Sequence, residues 1–365
     1  MLVWVEFYRL DAFAVCSLRA RNPPSRRKQA EARMVLASTT PAEQLPTFLC
    51  GLITACRRSI PQANEQIDNK VVFCTGGAGT ICSAQVRALV HLGANACIVG
   101  RNVEKTEGMA KDIATARKGS KVLGIGSVDV RSFESLKKAV DRCVEELGAI
   151  DFVIAGAAGN FLASINQLSV NAFKAVMDID VLGSFNTLKA TIPHLVESAV
   201  KHRSDGTTPS PTGTGGRIIF VSATIHYTGM PMQTHVSVAK AGVDALSNSV
   251  AIEFGPVGVT SNVISPGPIG ETEGMKRLAT EDAKKSNEAV IPLGRYGSVK
   301  EIADATIYIF SDSGNYVNAS TVVVDGGAWR LQAAGISGSG FSYPDFLLSG
   351  MEVTGVSGQK QKAKI

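Results

Sequence analysis

The sequence contains no Cys-x-x-Cys pair, no run of about 18 apolar residues and no single block that gathers its charge. The seven cysteines are scattered over the first 143 residues, so we expect reduced thiols and no metal site. The missing apolar run predicts no transmembrane helix, and the N-terminus lacks the layout of a secretory signal. The net charge of +5 is mild and dispersed, which argues against nucleic acid as a partner.

The composition that is present belongs to a folded globular protein. Hydrophobic residues make up 45% and charged residues 19% of the 365 residues, which suits one large domain or two small ones. Residues 1–68 lack sustained periodicity, and we expect a poorly ordered extension there. Because Met34 is a plausible start, residues 1–33 are either a gene-model artefact or a non-folding extension. Residues 331–365, rich in Gly and Ser, are expected to form a C-terminal arm.

Between residues 69 and 330, apolar strand-like runs alternate with helical patterns. The runs include "KVVFC", "NACIVG", "DFVIA", "RIIFV" and "STVVV", and Ser132 is the expected N-cap of one helix between them. Near-continuous apolar strands between helices indicate a parallel sheet covered on both faces. We therefore predict an α/β fold, a doubly wound parallel sheet of the Rossmann type in a three-layer α/β/α sandwich. A long helix is expected over about residues 171–200, and a surface loop over residues 202–216.

The stretch "TGGAGTIC", residues 75–82, follows the first predicted strand and opens a helix. Backbone N–H groups and the helix N-terminus at such a turn bind phosphate, and small residues let the backbone approach the ligand. A simple tight turn is the alternative. The residues assigned here to a nucleotide site are Thr75, Gly76, Gly77, Gly79, Thr80 and Ile81.

The second predicted strand ends in Gly100-Arg101-Asn102, with no acidic residue before Glu104. Sites that prefer NAD place an acid here for the ribose 2′-hydroxyl, whereas an arginine suits a 2′-phosphate, with which it makes two hydrogen bonds. The strand end therefore favours NADPH, and a solvated surface arginine is the alternative. Asp129, which closes the third strand, either accepts a hydrogen bond from the adenine amino group or caps its own turn.

The glycine turn, the strand-end arginine and a Lys-bearing helix together resemble the short-chain dehydrogenase/reductase family over about residues 69–329. The stretches "TGGAGTIC", "AGAAGNF", "VMDIDVLGSFN", "VAKAGVDALS", "SPGPIGETEGMKRL" and "VVVDGGAW" are similar to one branch of it. That branch is the peroxisomal 2,4-dienoyl-CoA reductases, and the similarity is greatest to the fungal type.

The departures from the wider family pattern concern its catalytic acid. The family's Lys is present as Lys240, but Val236 stands where its Tyr would be and Ala223 where its Ser would be. A ketone or alcohol chemistry that needs a phenol to move a proton to oxygen therefore lacks its acid. Tyr227 is the one phenol considered as a replacement, if it can swing towards Lys240.

The resemblance implies roles for three further groups. Asn160 corresponds to the Asn that binds the thioester carbonyl, with the shaping of a turn as the alternative. Asp180 stands where the wider family has Asn. Burial would raise the pKa of its carboxyl and let it act as an acid through a water, whereas an exposed Asp or one paired with Lys240 is the alternative. Lys240 is expected to hold the nicotinamide ribose, the alternative being a solvated lysine. Asp178 should face elsewhere than Asp180.

The remaining expected contacts also follow from the resemblance. For the cofactor they are Arg101, Asp129, Val130, Ala157, Lys240, Pro266, Gly267 and Ile269, in addition to the turn residues. For the substrate they are Asn160, Phe161, His235 and Gly270. His235 either contacts the substrate or caps the following helix. Lys276 and Arg277 either meet the phosphates of CoA or are solvated.

The last residues, Ala363-Lys364-Ile365, preserve the small, basic, aliphatic order of a peroxisomal address. They predict binding to the peroxisomal import receptor and localisation in the peroxisome matrix. The implied activity is NADPH-dependent reduction of 2,4-dienoyl-CoA to 3-enoyl-CoA in peroxisomal β-oxidation of unsaturated fatty acids. The family also implies a homo-oligomer that uses the helices bearing Phe185 and Lys240. Two alternatives stay open: a short-chain reductase acting on 3-oxoacyl or 3-hydroxyacyl groups, and a catalytically silent NADP-binding sensor.

Overall fold

The computed structural model describes residues 67–207, 210–273, 288 and 291–330. Within these ranges seven parallel strands form a single sheet in the order β3-β2-β1-β4-β5-β6-β7. The order reverses between β1 and β4, so the sheet is doubly wound and has a switch point at the carboxyl ends of these two strands. This confirms the predicted fold class. The strands are β1 (Val71–Thr75), β2 (Asn95–Val99), β3 (Val122–Ile125), β4 (Phe152–Ala155), β5 (Arg217–Val221), β6 (Thr260–Pro266) and β7 (Thr321–Val324).

Helices cover both faces of the sheet. Successive residues of one strand point to opposite faces, so Val71 and Phe73 belong to one buried apolar cluster and Val72 and Cys74 to the other. The helices of eight or more residues are α1 (Thr80–His91), α2 (Val103–Ala114), α3 (Phe133–Leu147), α4 (Val170–Met177), α5 (Gly183–Lys201), α7 (Thr234–Phe254) and α8 (Val299–Phe310); a single turn, α6, spans Ile225–Thr228.

Helix boundaries follow from capping chemistry. Ser132 accepts a hydrogen bond from Ser135 N–H at the start of α3, as predicted, and Ser298 forms a reciprocal capping box with Glu301 at the start of α8. Among the described helices, none is long and apolar enough to cross a membrane.

The helix expected over residues 171–200 is divided into three parts. A π-helical turn, Asp178–Leu182, joins α4 to α5. Such turns insert an extra residue into a helix and occur often at functional sites. Here the turn separates its two acids: Asp178 lies on the outer side with its carboxylate 2.5 Å from Lys174 Nζ, whereas Asp180 is 1% exposed. The predicted divergence of Asp178 and Asp180 is confirmed.

The described part of the 202–216 segment is anchored at the amino end of the sheet, opposite the glycine turn. Buried Lys70, just before β1, donates from Nζ to Thr212 O at 2.5 Å and lies 3.0 Å from His202 Nδ1. Burial lowers the pKa of Lys70 to about 8. The described part of this loop is therefore anchored to the core by a lysine held in an unfavourable environment for its charge.

The predicted domain boundaries fall largely on residues outside the described ranges. The N-terminal extension up to residue 66, the targeting tail and residues 331–365 all lie there, as do Lys276 and Arg277. Ile67, placed by prediction in the extension, is fully buried and belongs to the same apolar cluster as Val72. The packed domain therefore includes residue 67.

Candidate active site

The glycine turn after β1 is a closely packed cradle at the switch point. Gly76 has a φ of +67°, and a Cβ added there would lie 2.8 Å from Gly156 O. A Cβ on Gly77 would lie 2.5 Å from Ile98 Cβ. Gly79 caps α1, which has no side chain capping its first N–H groups. Small residues here let the backbone approach an anion, and the first turn of a 12-residue helix faces it, so the turn fits a dinucleotide pyrophosphate.

Cys82, the last residue of the stretch "TGGAGTIC", packs against the end of β4. Its side chain is 4% exposed and its Sγ lies 3.8 Å from Gly156 O, beneath the end of β4. A Cβ added to Gly156 would lie 2.2 Å from that sulfur. The thiol therefore fills the space that a side chain at position 156 would need, so the residues at positions 82 and 156 compensate for each other in volume.

The adenosine end of the site is a cleft beside the turn. Arg101 is exposed on its rim, and within the described part of the chain no carboxylate lies at ion-pair distance from it. The Asp129 carboxylate accepts hydrogen bonds from the backbone N–H of Arg131 at 3.0 Å and from its guanidinium, which lowers the pKa of Asp129. The geometry therefore favours the turn-capping alternative for Asp129. The cleft is lined by Gly76, Val99, Gly100, Arg101, Val128, Asp129, Val130, Ala157, Ala158 and Ile179.

Asp180 and Lys240 form a buried ion pair. Lys240 Nζ lies 3.1 Å from Asp180 Oδ2, with side chains 8% and 0% exposed, and donates to Val221 O at 3.0 Å. The other carboxylate oxygen, Asp180 Oδ1, accepts from Gly159 N–H at 2.7 Å. Lys240 is thus not a solvated lysine. For Asp180, the paired alternative left open by the sequence is the one observed.

Asn160 follows β4 with an exposed side chain. Its Nδ2 donates to Gln233 Oε1 at 3.4 Å, a long hydrogen bond. Gln233 precedes α7 and was not singled out by any sequence motif, because an isolated Gln before a helix carries no distinctive signal.

His235 does not cap α7, because it lies inside the first turn of a helix that begins at Thr234. The histidine is 0% exposed, its Nε2 donates to Phe161 O at 3.1 Å, and its ring stacks on the Phe161 ring with centroids 4.1 Å apart. The capping alternative is therefore wrong, while direct contact with the substrate stays a prediction; the contact that the structure shows is with the segment after β4.

The segment after β6 is also fixed. Gly267 N–H donates to Val324 O at 3.0 Å, and a Cβ on Gly267 would clash with Asp325. Ile269 is 3% exposed, and Gly270 N–H donates to Gly297 O at 2.9 Å. Pro266 O accepts from Thr224 N–H at 3.1 Å. The backbone of residues 266–270 is therefore held in place at the carboxyl ends of the strands, where the sequence predicts cofactor and substrate contacts.

Tyr227 does not replace the missing phenol. Its hydroxyl donates to Asp244 Oδ2 at 3.0 Å, an oxygen that His226 Nε2 also approaches at 2.9 Å. Burial raises the pKa of Tyr227 to about 12. The position of the family's Tyr is held by Val236, which is 3% exposed in an apolar cluster. Tyr227 is therefore engaged with Asp244 and His226, whereas Lys240 pairs with Asp180.

A doubly wound parallel sheet with a glycine cradle at its switch point and a buried Lys on the facing helix defines a nicotinamide-dependent oxidoreductase, and the chain belongs to the short-chain dehydrogenase/reductase family. Residues 76–328 match the family described as enoyl-(acyl carrier protein) reductase. A short-chain dehydrogenase from Bacillus anthracis superposes with a TM-score of 0.61 at 31% identity, covering 72% of this chain and 97% of the other.

Two similar proteins have names that state a reaction. The chain is 50% identical over 286 residues to the (3E)-enoyl-CoA-producing peroxisomal 2,4-dienoyl-CoA reductase of Saccharomyces cerevisiae, covering 77% of this chain and 90% of the yeast protein. It is 38% identical over 270 residues to the peroxisomal 2,4-dienoyl-CoA reductase of Danio rerio, covering 74% of this chain and 84% of the fish protein. The predicted resemblance to this branch is confirmed.

Proposed function

We propose that the protein reduces 2,4-dienoyl-CoA to 3-enoyl-CoA with NADPH, in the peroxisomal β-oxidation of unsaturated fatty acids. The observation that carries the proposal is the buried Asp180–Lys240 pair in a site that has Val236 and Ala223 in place of a phenol and a hydroxyl. Such a site lacks a phenol to protonate a ketone oxygen, but it keeps a charged pair whose lysine can stabilise the negative charge of an enolate. The names of the yeast and zebrafish relatives support the same substrate and the same compartment.

The residues present fit a nicotinamide dinucleotide. Gly76 and Gly79 would hold the pyrophosphate, Arg101 a ribose 2′-phosphate, and Lys240 the nicotinamide ribose. When bound, the reduced nicotinamide supplies a hydride to the far end of the conjugated diene of the substrate.

The chain's own residues then stabilise the charge that develops on the substrate. The exposed Asn160 amide donates a hydrogen bond to the thioester oxygen of the extended enolate, where such donors lower the barrier. Lys240, held by Asp180 and Val221 O, contributes a fixed positive charge nearby. A proton must then reach carbon. We assign its delivery to the Asp180–Lys240 pair through a water, and the pair regains the proton from solvent after each turnover.

One assay separates this proposal from its rivals. Purified protein is mixed with NADPH and either a 2,4-dienoyl-CoA or a 3-oxoacyl-CoA, and the loss of nicotinamide absorbance is followed. We expect consumption with the dienoyl-CoA. Consumption with the 3-oxoacyl-CoA alone would instead identify a ketoreductase, and tight NADPH binding without turnover would identify a sensor.

The roles of the site residues need their own variants. Asn160→Ala is expected to lower kcat by about 10²-fold, since it removes one oxyanion donor. Asp180→Asn should lower it at least as much, because it also leaves the Lys240 charge buried and unpaired. Turnover near that of the wild type in either variant would refute the assignment for that residue.

The choice of NADPH over NADH depends on Arg101. Loss of a bidentate hydrogen-bonded ion pair with phosphate in Arg101→Ala should weaken NADPH binding by about tenfold or more, while NADH binding stays within about twofold. Fluorescence titration of both nucleotides measures this directly, and NADH is the internal control. Equal weakening of both would mean that Arg101 does not contact the 2′-phosphate.

Assembly and import complete the proposal. Leu182 and Phe185 at the start of α5 and Val238 on α7 are apolar side chains, each more than 40% exposed, and we propose that they meet a second copy of the chain. Phe185→Glu is expected to lower the molar mass measured by light scattering.

For import, a fluorescent protein fused after Ile365 should leave the enzyme in the cytosol; peroxisomal fluorescence would contradict a role for the C-terminal tripeptide.

A further inference from the structure

The chain is anchored one peptide unit away from Asn160 on each side. On the amino side, Gly159 N–H donates to Asp180 Oδ1 at 2.7 Å. On the carboxyl side, Phe161 O accepts from His235 Nε2 at 3.1 Å. The short segment from Gly159 to Phe161 is therefore held at both ends, while the Asn160 residue between them is exposed.

His235 is built to hold the second of these peptide units. The histidine is 0% exposed, and its ring stacks on Phe161 with an interplanar angle of 22°. Since a carbonyl oxygen only accepts, the hydrogen bond places the proton of the neutral ring on Nε2. The other nitrogen, Nδ1, is buried without a hydrogen-bond partner in the described structure. An apolar side chain of similar size would avoid that unsatisfied atom, so the packing alone does not account for a histidine here.

We infer that His235 is a positioning residue for the reductase reaction, which aims the Asn160 amide at the thioester oxygen by anchoring the Phe161 carbonyl, one peptide unit beyond Asn160. The inference rests on the proposed function. It assigns His235 an indirect role, because its ring is fully buried and stacked on Phe161. Its effect on the reaction passes through Asn160.

Fixing this segment matters because hydrogen-bond donors act in catalysis only at the right place. A donor stabilises the developing oxyanion when it lies about 2.7–3.1 Å from the position of that oxygen, and a displacement of about 1 Å is enough to cost about 10²-fold in rate. Without His235, the segment after β4 keeps its link to Met232 through Ala163 N–H, so it should shift rather than unfold.

A matched pair of variants tests the geometry. The amide nitrogen of Gln occupies nearly the position of His Nε2, whereas the amide nitrogen of Asn occupies that of Nδ1. We expect His235→Gln to keep kcat within about threefold of the wild type and His235→Asn to lower it about tenfold or more, with KM for the dienoyl-CoA changed less than about threefold in both. NADPH affinity should stay unchanged in both variants, and His91→Asn, at an exposed histidine of α1, is the control.

A double-mutant cycle with Asn160→Ala tests whether His235 acts through Asn160. In the Asn160→Ala background, His235→Asn is expected to cost less than about twofold in kcat, because the group that it positions is gone. An equal loss in both backgrounds, or equal kcat values for the Gln and Asn variants, would overturn the inference. If the wild type does not reduce dienoyl-CoA at all, the proposed function fails and the inference fails with it. If the wild type turns over and the cycle is additive, only the inference fails.

Discussion

Gly156→Ala is the change that most directly tests how the glycine turn is packed. The added Cβ would lie 2.2 Å from Cys82 Sγ and 3.2 Å from Thr75 O, whereas non-bonded heavy atoms pack best at about 3.5–4 Å. The thiol or the strand end must therefore move by more than about 1 Å, and overpacking of this kind costs about 1–3 kcal/mol. Cys82→Ala removes the sulfur, so in that background Gly156→Ala should cost little. The expected coupling free energy is about 1–3 kcal/mol.

Urea unfolding of the wild type, the two single variants and the double variant measures this coupling. Gly108→Ala is the matched control, since a Cβ at Gly108 meets nothing within 4 Å and its helix should gain about 0.5–1 kcal/mol in any background. NADPH affinity of Cys82→Ala should stay within about tenfold of the wild type, equivalent to about 1.4 kcal/mol, because the sulfur faces β4. Additivity of the two substitutions within about 0.5 kcal/mol would refute the compensation.

Three further predictions concern other parts of the molecule. Between about pH 8, the pKa of folded Lys70, and 10.5, its usual value, the unfolded chain holds a proton that the folded chain has released. The contribution of Lys70 to the free energy of unfolding should therefore rise with pH, by at most about 1.4 kcal/mol per pH unit. Denaturation of the wild type and of Lys70→Met across this range measures the slope, which the substitution should remove. Parallel plots of unfolding free energy against pH for the two proteins would contradict this. Gly76→Ala should weaken NADPH binding by at least about tenfold, because the residue has a positive φ and the new Cβ meets Gly156 O; fluorescence titration checks this, and an unchanged Kd would mean that the turn does not bind the cofactor. Tyr227→Phe should leave kcat for the dienoyl-CoA unchanged while lowering stability by about 1 kcal/mol, because it removes only a hydrogen bond to Asp244; a large loss of turnover would return Tyr227 to the mechanism.

The sequence could predict which residues lie at the candidate site where they follow a recognisable strand. Gly76 follows β1 and Arg101 follows β2, and the structure brings them to the same cleft, whereas the sequence had left a simple turn and a solvated arginine as alternatives. Asp180 is different, since burial, exposure and pairing were all consistent with the sequence. The π-helical turn settles this by directing its carboxylate inwards to Lys240.

For His235 the sequence was least informative. Its position at the start of a helix suggested capping or substrate contact. In the described structure it does not cap the helix, and its ring is fully buried. Its partner Phe161 is 74 residues away in the chain, and no local pattern identifies such a pair. The same holds for the clash that Cys82 imposes on position 156.

Local sequence patterns were enough to predict the succession of strands and helices along the chain, the glycine turn and the arginine beside it, because hydrophobic periodicity and backbone conformation are local properties of the chain. Which side chains face each other across the sheet edge is a property of the tertiary structure. The pairing of Asp180 with Lys240, the hold of His235 on Phe161 and the exchange of space between Cys82 and Gly156 all depend on how separate elements pack. Burial and distance between remote residues are set when the layers close around the core, and that information is not carried by any one stretch of the chain.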